Sequence, residues 1–343
     1  MSTLPVAIAG LGSYLPARVV TNHDLAQVLD TSDEWIRSRT GISQRHVVAA
    51  DEATSDLAAA AGKAALADAG LGIEDVTSIV VATTTPDHPV PGTAPLVAAR
   101  LGSNVGAFDV NAACSGFVYG LRVGSAMAAT GDGAVLVIGA ESITRVVDQE
   151  DRGTAILFGD GAGAVVLVPD PTASMGPFEL GVDGDDPSML WTATGGTRSP
   201  VDAASLAART NYLSMRGGDV YRHAVPRMAA ASAAVLADAG LTVDDVDLFV
   251  GHQANVRILN AVVQRLGVDP DRSYITVDQH GNTSAASIPL ALADARDAGK
   301  LKPGDTVLLG AFGAGLTWAA CLLTWNPPVS RGDATATDAG THR

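Results

Sequence analysis

The stretch FDVNAACSGF, residues 108–117, joins a strand to a helix, and the rest of the chain is organised around it. The apolar residues 105–110 predict a buried strand, and the small apolar residues 116–130 predict a buried helix. Cys114 lies between them, where a helix N-terminus favours a thiolate, so we expect its pKa to fall below the usual value of about 8.5. A free cysteine is more often a small buried hydrophobic residue. Position alone therefore leaves its role open.

The composition narrows the class of protein. The chain has 343 residues, which suggests about two domain-sized units or one large two-lobed unit. A net charge of -15 argues against a nucleic-acid partner, which would need a basic face. The two cysteines, Cys114 and Cys321, are far apart, which predicts a reducing compartment, no disulfide framework and no metal site. We find no signal peptide and no membrane-spanning run, so we expect a cytoplasmic protein without a membrane partner.

Helices and apolar strands alternate along both halves of the chain. The pentapeptide ADAGL ends a predicted helix at residues 67–71 and again at 237–241, and each copy precedes an acidic link and a strand. This alternation predicts an α/β fold with a mainly parallel sheet covered by helices. Two similar halves would pair into one layered body.

Four local predictions complete this outline. Asn22 is expected to cap a helix over residues 23–29, and Thr31 with Glu34 has the spacing of a capping box at the start of the next helix. The polar residues 169–215 are interpreted as loop and turn. Residues 273–277 are predicted to form a strand.

Cys114, His252 and Asn282 each follow a predicted strand, the usual place for chemistry in open α/β sheets. Taken singly, a histidine is as often a core or surface residue, and Gly-Asn is ordinary turn chemistry. Together they suit acyl transfer, because a thiolate can attack a thioester while the other two donate hydrogen bonds to an oxyanion or enolate.

Six stretches carry a resemblance to a known family, and HQANVRI (252–258) and GNTSAAS (281–287) are the most specific. The matching stretches are residues 31–42, 109–117, 151–164, 251–258, 280–289 and 311–318. The chain resembles the β-ketoacyl-acyl-carrier-protein synthases III over residues 6–325. These thiolase-fold enzymes start type II fatty acid synthesis. The resemblance implies a five-layer αβαβα fold of two similar halves, and a homodimer.

The resemblance also implies a division of the chain into two halves. Residues 1–171 would carry the nucleophilic cysteine, and residues 172–328 would carry the histidine and asparagine. Residues 329–343 are rich in Thr, Asp and Gly, which predicts a disordered tail.

The resemblance also implies the reaction. Cys114 would take a starter acyl group from acyl-CoA, and His252 and Asn282 would stabilise the enolate formed when malonyl-acyl carrier protein loses carbon dioxide. That enolate would attack the acyl-cysteine in a Claisen condensation. The Cys114 N–H and a second N–H from the loop Gly313, Ala314, Gly315 would form the oxyanion hole. Acyl-CoA and malonyl-acyl carrier protein are substrates, and no permanently bound cofactor is implied.

Binding residues are carried over in the same way. The positions matching contacts to CoA or phosphopantetheine are Thr31, Trp35, Arg39, Arg152, Asn255 and Gly281. Trp35 and Arg152 would stack on the adenine, although Trp35 by itself reads as a partly buried surface anchor. Those matching the acyl pocket are Val90 and Phe158. Those matching contacts to the acyl carrier protein are Arg222, Arg257 and Arg265.

The sequence departs from the family pattern at four positions. Gly218 stands where some members have asparagine, Gln264 where lysine is common, and Ala314 where the loop has glycine. Val90 stands where an aromatic residue of the neighbouring subunit closes the pocket in acetyl-specific members. A smaller residue would deepen the pocket by several methylenes, each worth about 0.8 kcal/mol. We therefore expect a starter longer or more branched than acetyl, unless residues 184–215 fill that space.

Alternatives remain open within the fold. The chain could be the housekeeping enzyme, a priming synthase of a polyketide pathway, or an acyltransferase with an oxygen or nitrogen acceptor. The complete Cys-His-Asn set favours decarboxylative condensation over the last of these. A thiolase would need a second catalytic cysteine, but Cys321 is predicted inside the last strand. A hydroxymethylglutaryl-CoA synthase would need a carboxylate acid that the sequence does not locate.

Overall fold

The computed structural model describes residues 3–131 and 133–326, so the predicted tail over 329–343 lies outside the described residues. The strands are β1 (Val6–Tyr14), β2 (Arg18–Thr21), β3 (Gln44–Val47), β4 (Val76–Ala82), β5 (Gly106–Val110), β6 (Ala134–Glu141), β7 (Gly161–Pro169), β8 (Met175–Val182), β9 (Leu190–Thr192), β10 (Leu213–Met215), β11 (Leu248–Gly251), β12 (Thr306–Gly313) and β13 (Thr317–Thr324). The helices are α1 (Asn22–Leu25), α2 (Asp33–Thr40), α3 (Thr54–Ala69), α4 (Thr93–Leu101), α5 (Gly116–Thr130), α6 (Arg152–Ala155), α7 (Ala203–Ala207), α8 (Gly217–Ala239), α9 (Val256–Leu266), α10 (Val277–His280) and α11 (Ser287–Asp297).

Two mixed sheets form the framework. The first has the order β1-β7-β6-β4-β5 and the second the order β11-β12-β13-β8. Parallel pairing joins β4 to β5 and β6, and β11 to β12, whereas β7 is antiparallel to both neighbours and β13 is antiparallel to β12 and β8. The prediction of a mainly parallel sheet is therefore wrong. A connection as short as residues 314–316 can join only antiparallel strands, so β12 and β13 form a hairpin.

The helices complete five layers. Helices α3 and α4 pack on the outer face of the first sheet, and α8 and α9 cover the outer face of the second. Helices α5 and α11 contact both sheets and lie between them. The expected αβαβα architecture is confirmed. The proposed division at residues 171 and 172 falls between β7 and β8 and stays a prediction.

Burial from both sides explains why α5 is so rich in small residues. Phe117 and Leu121 are fully buried in a cluster that also holds Val137 of the first sheet and Leu309 of the second. A Cβ at Gly124 would lie 2.4 Å from a Val137 methyl, so only glycine fits there without a shift. The prediction of a buried helix over residues 116–130 is confirmed. The predicted strand over residues 105–110 exists as β5, but the expectation that it is buried is wrong, because β5 lies at the edge of the first sheet and none of its residues is buried.

The first two helix starts differ from prediction by one residue. Helix α1 is a single turn capped by Thr21, whose hydroxyl accepts from Asp24 N at 3.2 Å, while Asn22 instead donates to the Ile42 carbonyl at 2.7 Å. Helix α2 is capped by Ser32, whose hydroxyl accepts from Trp35 N at 3.1 Å. The Thr31 hydroxyl is buried without a hydrogen-bond partner in the described chain.

Two further predictions are wrong in the second half. Residues 273–277 form no strand beyond a single bridge from Ser273 to Phe249, because the Gln253 carboxamide oxygen accepts from Thr276 N at 2.9 Å and Val277 N at 3.2 Å. Residues 169–215 are not only loop, since they contain β8 of the second sheet, the β9–β10 pair and α7. Within the described part of the chain, no helix combines the length and apolar character needed to cross a membrane.

Candidate active site

Cys114 lies in a short 3-10 turn, Ala113–Ser115, between β5 and α5. Ala113 has φ +49°, a left-handed conformation that costs a residue with a Cβ about 1–3 kcal/mol and that often marks a functional turn. Gly313 of β12 packs against this turn, and a Cβ at Gly313 would lie 2.6 Å from Cys114 N. The loop that follows β12 is thus held directly against the cysteine.

The electrostatics of Cys114 differ from the sequence expectation. Burial raises the pKa of the Cys114 thiol to about 11, and the charge of Glu141 also raises it. Hydrogen bonds from the Ser284 hydroxyl and the Ala314 N–H lower the pKa but do not compensate. The expectation of a lowered pKa is therefore wrong for the free protein. The dipole of α5 begins only at Gly116, and desolvation of the thiolate outweighs it.

His252 follows β11 by one residue and is buried. Its Nδ1 lies 2.6 Å from the Ser287 hydroxyl oxygen, which also accepts from Gln253 N at 3.3 Å. Either atom of this pair can be the donor, and in the tautomer in which the Ser287 hydroxyl donates to Nδ1, Nε2 carries the ring hydrogen. Burial lowers the pKa of His252 to about 3. The ring is therefore neutral at physiological pH.

Asn282 follows the short helix α10, not a strand as expected, because residues 273–277 are not a strand. Its side-chain oxygen accepts from Ser284 N at 2.9 Å, and its backbone is fixed by Leu157 O at 2.8 Å and Gly159 N at 3.1 Å. The side-chain NH₂ is therefore the free donor group of Asn282.

A cavity of about 480 Å³ runs from the surface to these three residues. Buried Cys114, His252 and Asn282 line its inner part, and the partly or fully exposed Trp35, Arg39, Asn255 and Arg257 line its outer part. The Arg39 and Arg152 guanidinium groups lie 5.8 Å and 4.8 Å from the Trp35 ring centroid. An aromatic face flanked by two cations suits a flat ligand that carries phosphates.

A second cavity of about 410 Å³ lies on the other side of Cys114. It is bordered by Ala314 and Gly315 and by apolar residues: Ile143, Phe158, Leu190, Trp191 and Leu213. Cys114 and Phe158 line both cavities. A thioester could thus place its carrier in one cavity and its acyl chain in the other. Strands β9 and β10, which supply three of these residues, are too short for their periodicity to show in the sequence.

Other predicted site residues lie outside both cavities, namely Thr31, Arg152, Gly281, Val90, Arg222 and Arg265. Val90 is 86% exposed on the single chain. Arg222 forms an ion pair with Asp219, whereas Arg257 and Arg265 are exposed on α9 and form no ion pair with a described residue. Asn255 caps α9 by accepting from Arg257 N at 2.8 Å and donates to Arg39 O at 3.2 Å.

Sequence reasoning missed Glu141, the buried last residue of β6. Its carboxylate accepts from the Thr85 hydroxyl at 2.7 Å, the Ser284 hydroxyl at 3.0 Å and Thr84 N at 3.1 Å. Burial raises the pKa of Glu141. A charged residue ending an otherwise apolar strand is the signal that could have singled it out. Glu141 lines neither cavity, so it is not placed to act as an acid on a bound substrate.

In the described ranges, 3–131 and 133–326, no group of three or more His, Cys, Asp or Glu side chains is arranged to hold a metal ion.

Comparisons with known proteins agree on one family. Two family models described as 3-oxoacyl-[acyl-carrier-protein] synthase III match residues 108–184 and, for its C-terminal part, residues 236–325. A β-ketoacyl-[acyl-carrier-protein] synthase III of Streptomyces coelicolor is 50% identical, with 93% of this chain and 96% of the relative covered.

Solved structures give the same result. The β-ketoacyl-[acyl carrier protein] synthase III of Thermus thermophilus is 45% identical with a TM-score of 0.87, covering 94% of this chain and 99% of that chain. The priming β-ketosynthase of the R1128 polyketide pathway is 36% identical with a TM-score of 0.88, and the match covers 95% of this chain and 98% of that chain.

Proposed function

Since the chain belongs to the 3-oxoacyl-[acyl-carrier-protein] synthase III family, we propose that Cys114 is the nucleophile that links its two substrates. The enzyme is an acyltransferase of the thiolase fold, the condensing enzyme that initiates fatty acid synthesis. The observation that carries the proposal is that Cys114 lines both cavities. Its thiol can meet a thioester from one side and pass the acyl chain to the other.

The first half-reaction is acylation. Acyl-CoA enters the larger cavity with its adenine near Trp35 and its thioester at Cys114, and the thiolate attacks the carbonyl carbon. The N–H groups of Cys114 and Ala314 stabilise the oxyanion, and CoA leaves. The acyl chain then lies in the smaller cavity beside Phe158.

The second half-reaction is decarboxylative condensation. Malonyl-acyl carrier protein inserts its phosphopantetheine into the emptied larger cavity. The neutral His252 donates from Nε2 and Asn282 donates from its NH₂ to the thioester oxygen, which becomes an enolate as carbon dioxide leaves. The enolate carbon attacks the acyl-cysteine, and 3-oxoacyl-acyl carrier protein is released. The chemistry needs the two substrates and no resident cofactor.

The partners are an acyl carrier protein and a second copy of this chain, in the cytoplasm. Arg257 and Arg265 on α9 and Arg222 on α8 are exposed and can meet an acidic carrier protein. Strand β5 is an unpaired edge of the first sheet, with Phe108 39% exposed, and it lies directly before Cys114. The exposed Val90 lies in the loop that precedes α4, whose Thr93 N donates to Asp109 of β5 at 2.6 Å, so a second copy that covers this edge would also meet Val90.

A second candidate is the priming of a polyketide chain with an unusual starter. Two observations favour it over an acetyl-specific enzyme: the similarity to the R1128 priming ketosynthase and the presence of valine at position 90. The reaction would be the same, and only the starter and the pathway would differ.

The test is turnover with malonyl-acyl carrier protein and acyl-CoAs from acetyl to medium-length branched chains. We expect carbon dioxide and 3-oxoacyl product, an acyl adduct on the Cys114 peptide, and neither adduct nor condensation product with Cys114→Ala. Acylation of Cys114 without carbon dioxide release would instead identify a transferase with another acceptor.

A further inference from the structure

The two donors that face the enolate in the proposed mechanism are held by different parts of the chain. The His252 ring is held by helix α11, because the hydroxyl oxygen of Ser287, the first residue of α11, lies 2.6 Å from Nδ1. The Asn282 backbone is hydrogen-bonded to residues 157 and 159, in the segment before β7. Hydrogen bonds weaken steeply when distance and angle change, so two donors to one oxygen need a fixed separation. A link between the Asn282 segment and α11 would set that separation.

The helix that leads to Asn282 cannot hold its own position. Helix α10 has four residues, and an isolated helix of that length does not form in water. Gly281 follows it with φ +66° and ψ −164°, a conformation that is open essentially to glycine alone. The Gln253 carboxamide oxygen accepts from the first backbone N–H of α10 at 3.2 Å, and Ser43 N donates to Asp278 O at 2.8 Å. These bonds hold the start and the middle of α10, and the end next to Asn282 needs a further contact.

His280, the last residue of α10, makes that contact. Its Nε2 donates to Asp294 Oδ2 of α11 at 2.7 Å, since a carboxylate oxygen accepts. In the described chain, no other side chain of α10 is hydrogen-bonded to another element. His280 is buried, and its Nδ1 has no hydrogen-bond partner among the described residues. An unpaired buried nitrogen costs free energy that an apolar residue at position 280 would not cost. The bond to α11 therefore explains the histidine better than packing does.

We propose that His280 is a positioning residue of the condensation step. Its hydrogen bond to Asp294 ties the Asn282 segment to α11, the helix that also holds His252. Helix α11 is a firm support, because it is buried between the two sheets. The proposal rests on the proposed role of both donors in stabilising the enolate. His280 lines neither cavity, so it acts only through Asn282. Loss of the link should slow decarboxylation and spare the acylation of Cys114, whose oxyanion donors lie elsewhere.

Two variants separate the hydrogen bond from the rest of the His280 side chain. In His280→Gln, the side-chain NH₂ can take the place of Nε2 and still donate to Asp294. In His280→Asn, the side chain is one carbon shorter and does not reach Asp294. The assay first acylates Cys114 with acyl-CoA and measures CoA release in a single turnover. The acyl-enzyme is then mixed with malonyl-acyl carrier protein, and the release of carbon dioxide is measured.

The two half-reactions should respond differently. At saturating malonyl-acyl carrier protein, His280→Asn should release carbon dioxide about 10- to 100-fold more slowly, because displacing a reacting group by about 1 Å can cost about 100-fold. The acylation rate and the KM for malonyl-acyl carrier protein should stay within about twofold of wild type. His280→Gln should recover most of the rate. The control Arg296→Ala removes another link of α11, the ion pair with Asp68 at 2.6 Å, and should leave the ratio of the two rates unchanged.

A double-mutant cycle tests whether Asp294 is the partner through which His280 acts. Asp294→Ala should slow carbon dioxide release as much as His280→Asn does. The double variant should be no slower than either single variant, because each substitution removes the same hydrogen bond. Additive losses would overturn the proposal, since the two side chains would then act independently.

The outcomes separate this role from the proposed function. If the wild-type acyl-enzyme releases no carbon dioxide, the proposed function fails and the positioning role fails with it. If wild type is active and His280→Asn keeps its rate, the positioning role alone is overturned. Equal losses of acylation and carbon dioxide release, or no recovery in His280→Gln, would also overturn it, since the hydrogen bond would not be the cause. If His280→Asn does not fold, the ratio of the two rates in Asp294→Ala still decides.

Discussion

The buried, neutral His252 should make the stability of this enzyme depend on pH in a predictable way. Its pKa is lowered to about 3 by burial in the folded chain, whereas an unfolded histidine titrates near 6.5. Below about pH 6.5, His252 therefore binds a proton in the unfolded chain but not in the folded chain. Stability from this residue is fully present above pH 6.5 and is lost as the pH falls towards 3.

The size of the effect follows from the shift. Each pH unit well inside this window costs about 1.4 kcal/mol per group, and less near pH 6.5, where the unfolded histidine is only half protonated. His252 should therefore destabilise the fold by about 2 kcal/mol between pH 6.5 and pH 4.5. The variant His252→Gln lacks the titrating ring. The difference in unfolding free energy between wild type and His252→Gln should then change by about 2 kcal/mol in favour of the variant over the same interval.

The assay is urea unfolding of wild type and His252→Gln at pH 7.5, 6.5, 5.5 and 4.5. The exposed His88 supplies a matched control, His88→Gln. Other buried groups, such as Glu141, titrate alike in all three proteins and cancel in the differences. Parallel curves for wild type and His252→Gln at every pH would refute the reasoning, because His252 would then accept a proton in the folded state. The same result would remove the neutral Nε2 donor from the proposed mechanism.

Three further predictions concern the substrate path. Gly313→Ala places a Cβ 2.6 Å from Cys114 N, so we expect the free energy of unfolding in urea to fall by about 1–3 kcal/mol and acylation to be at least about tenfold slower. Gly184→Ala is the control, because the space around its Cβ position is open, and it should change neither quantity. Trp35→Ala should raise KM for acyl-CoA about 5- to 30-fold, the equivalent of about 1–2 kcal/mol of stacking, and leave kcat within about twofold in steady-state assays. Val90→Phe should reduce kcat/KM about fourfold for each methylene of the starter that the ring displaces, as measured across a series of acyl-CoAs. An unchanged dependence of kcat/KM on chain length would exclude Val90 from the pocket.

The sequence by itself determined much of this protein. Apolar periodicity located the buried helix α5, and the residue types at 114, 252 and 282 predict an acyl-transfer set without any geometry. These features are local along the chain, or repeat at helix and strand periods, so composition and spacing carry them. The resemblance over residues 6–325 added the five-layer fold and the family, both of which are confirmed.

Helix caps and short strands were less accessible to sequence reasoning. Ser32 caps α2 in place of Thr31, and the Gln253 side chain takes the backbone N–H groups that a strand at residues 273–277 would need. Each outcome depends on which of several equally suitable groups is brought near by folding. Intrinsic propensity ranks residue types as caps or strand formers, but it does not decide which of two neighbouring polar groups makes the hydrogen bond.

The tertiary structure alone decided the charge state of the site. Cys114 lies near a helix start, as expected, yet burial and the charge of Glu141 raise its pKa. The hydrogen bond from Ser284 to Glu141 joins residues 143 positions apart, and nothing in the sequence pairs them. Desolvation and hydrogen bonding depend on what surrounds a group in three dimensions, and a linear sequence does not contain that information until the layers have packed.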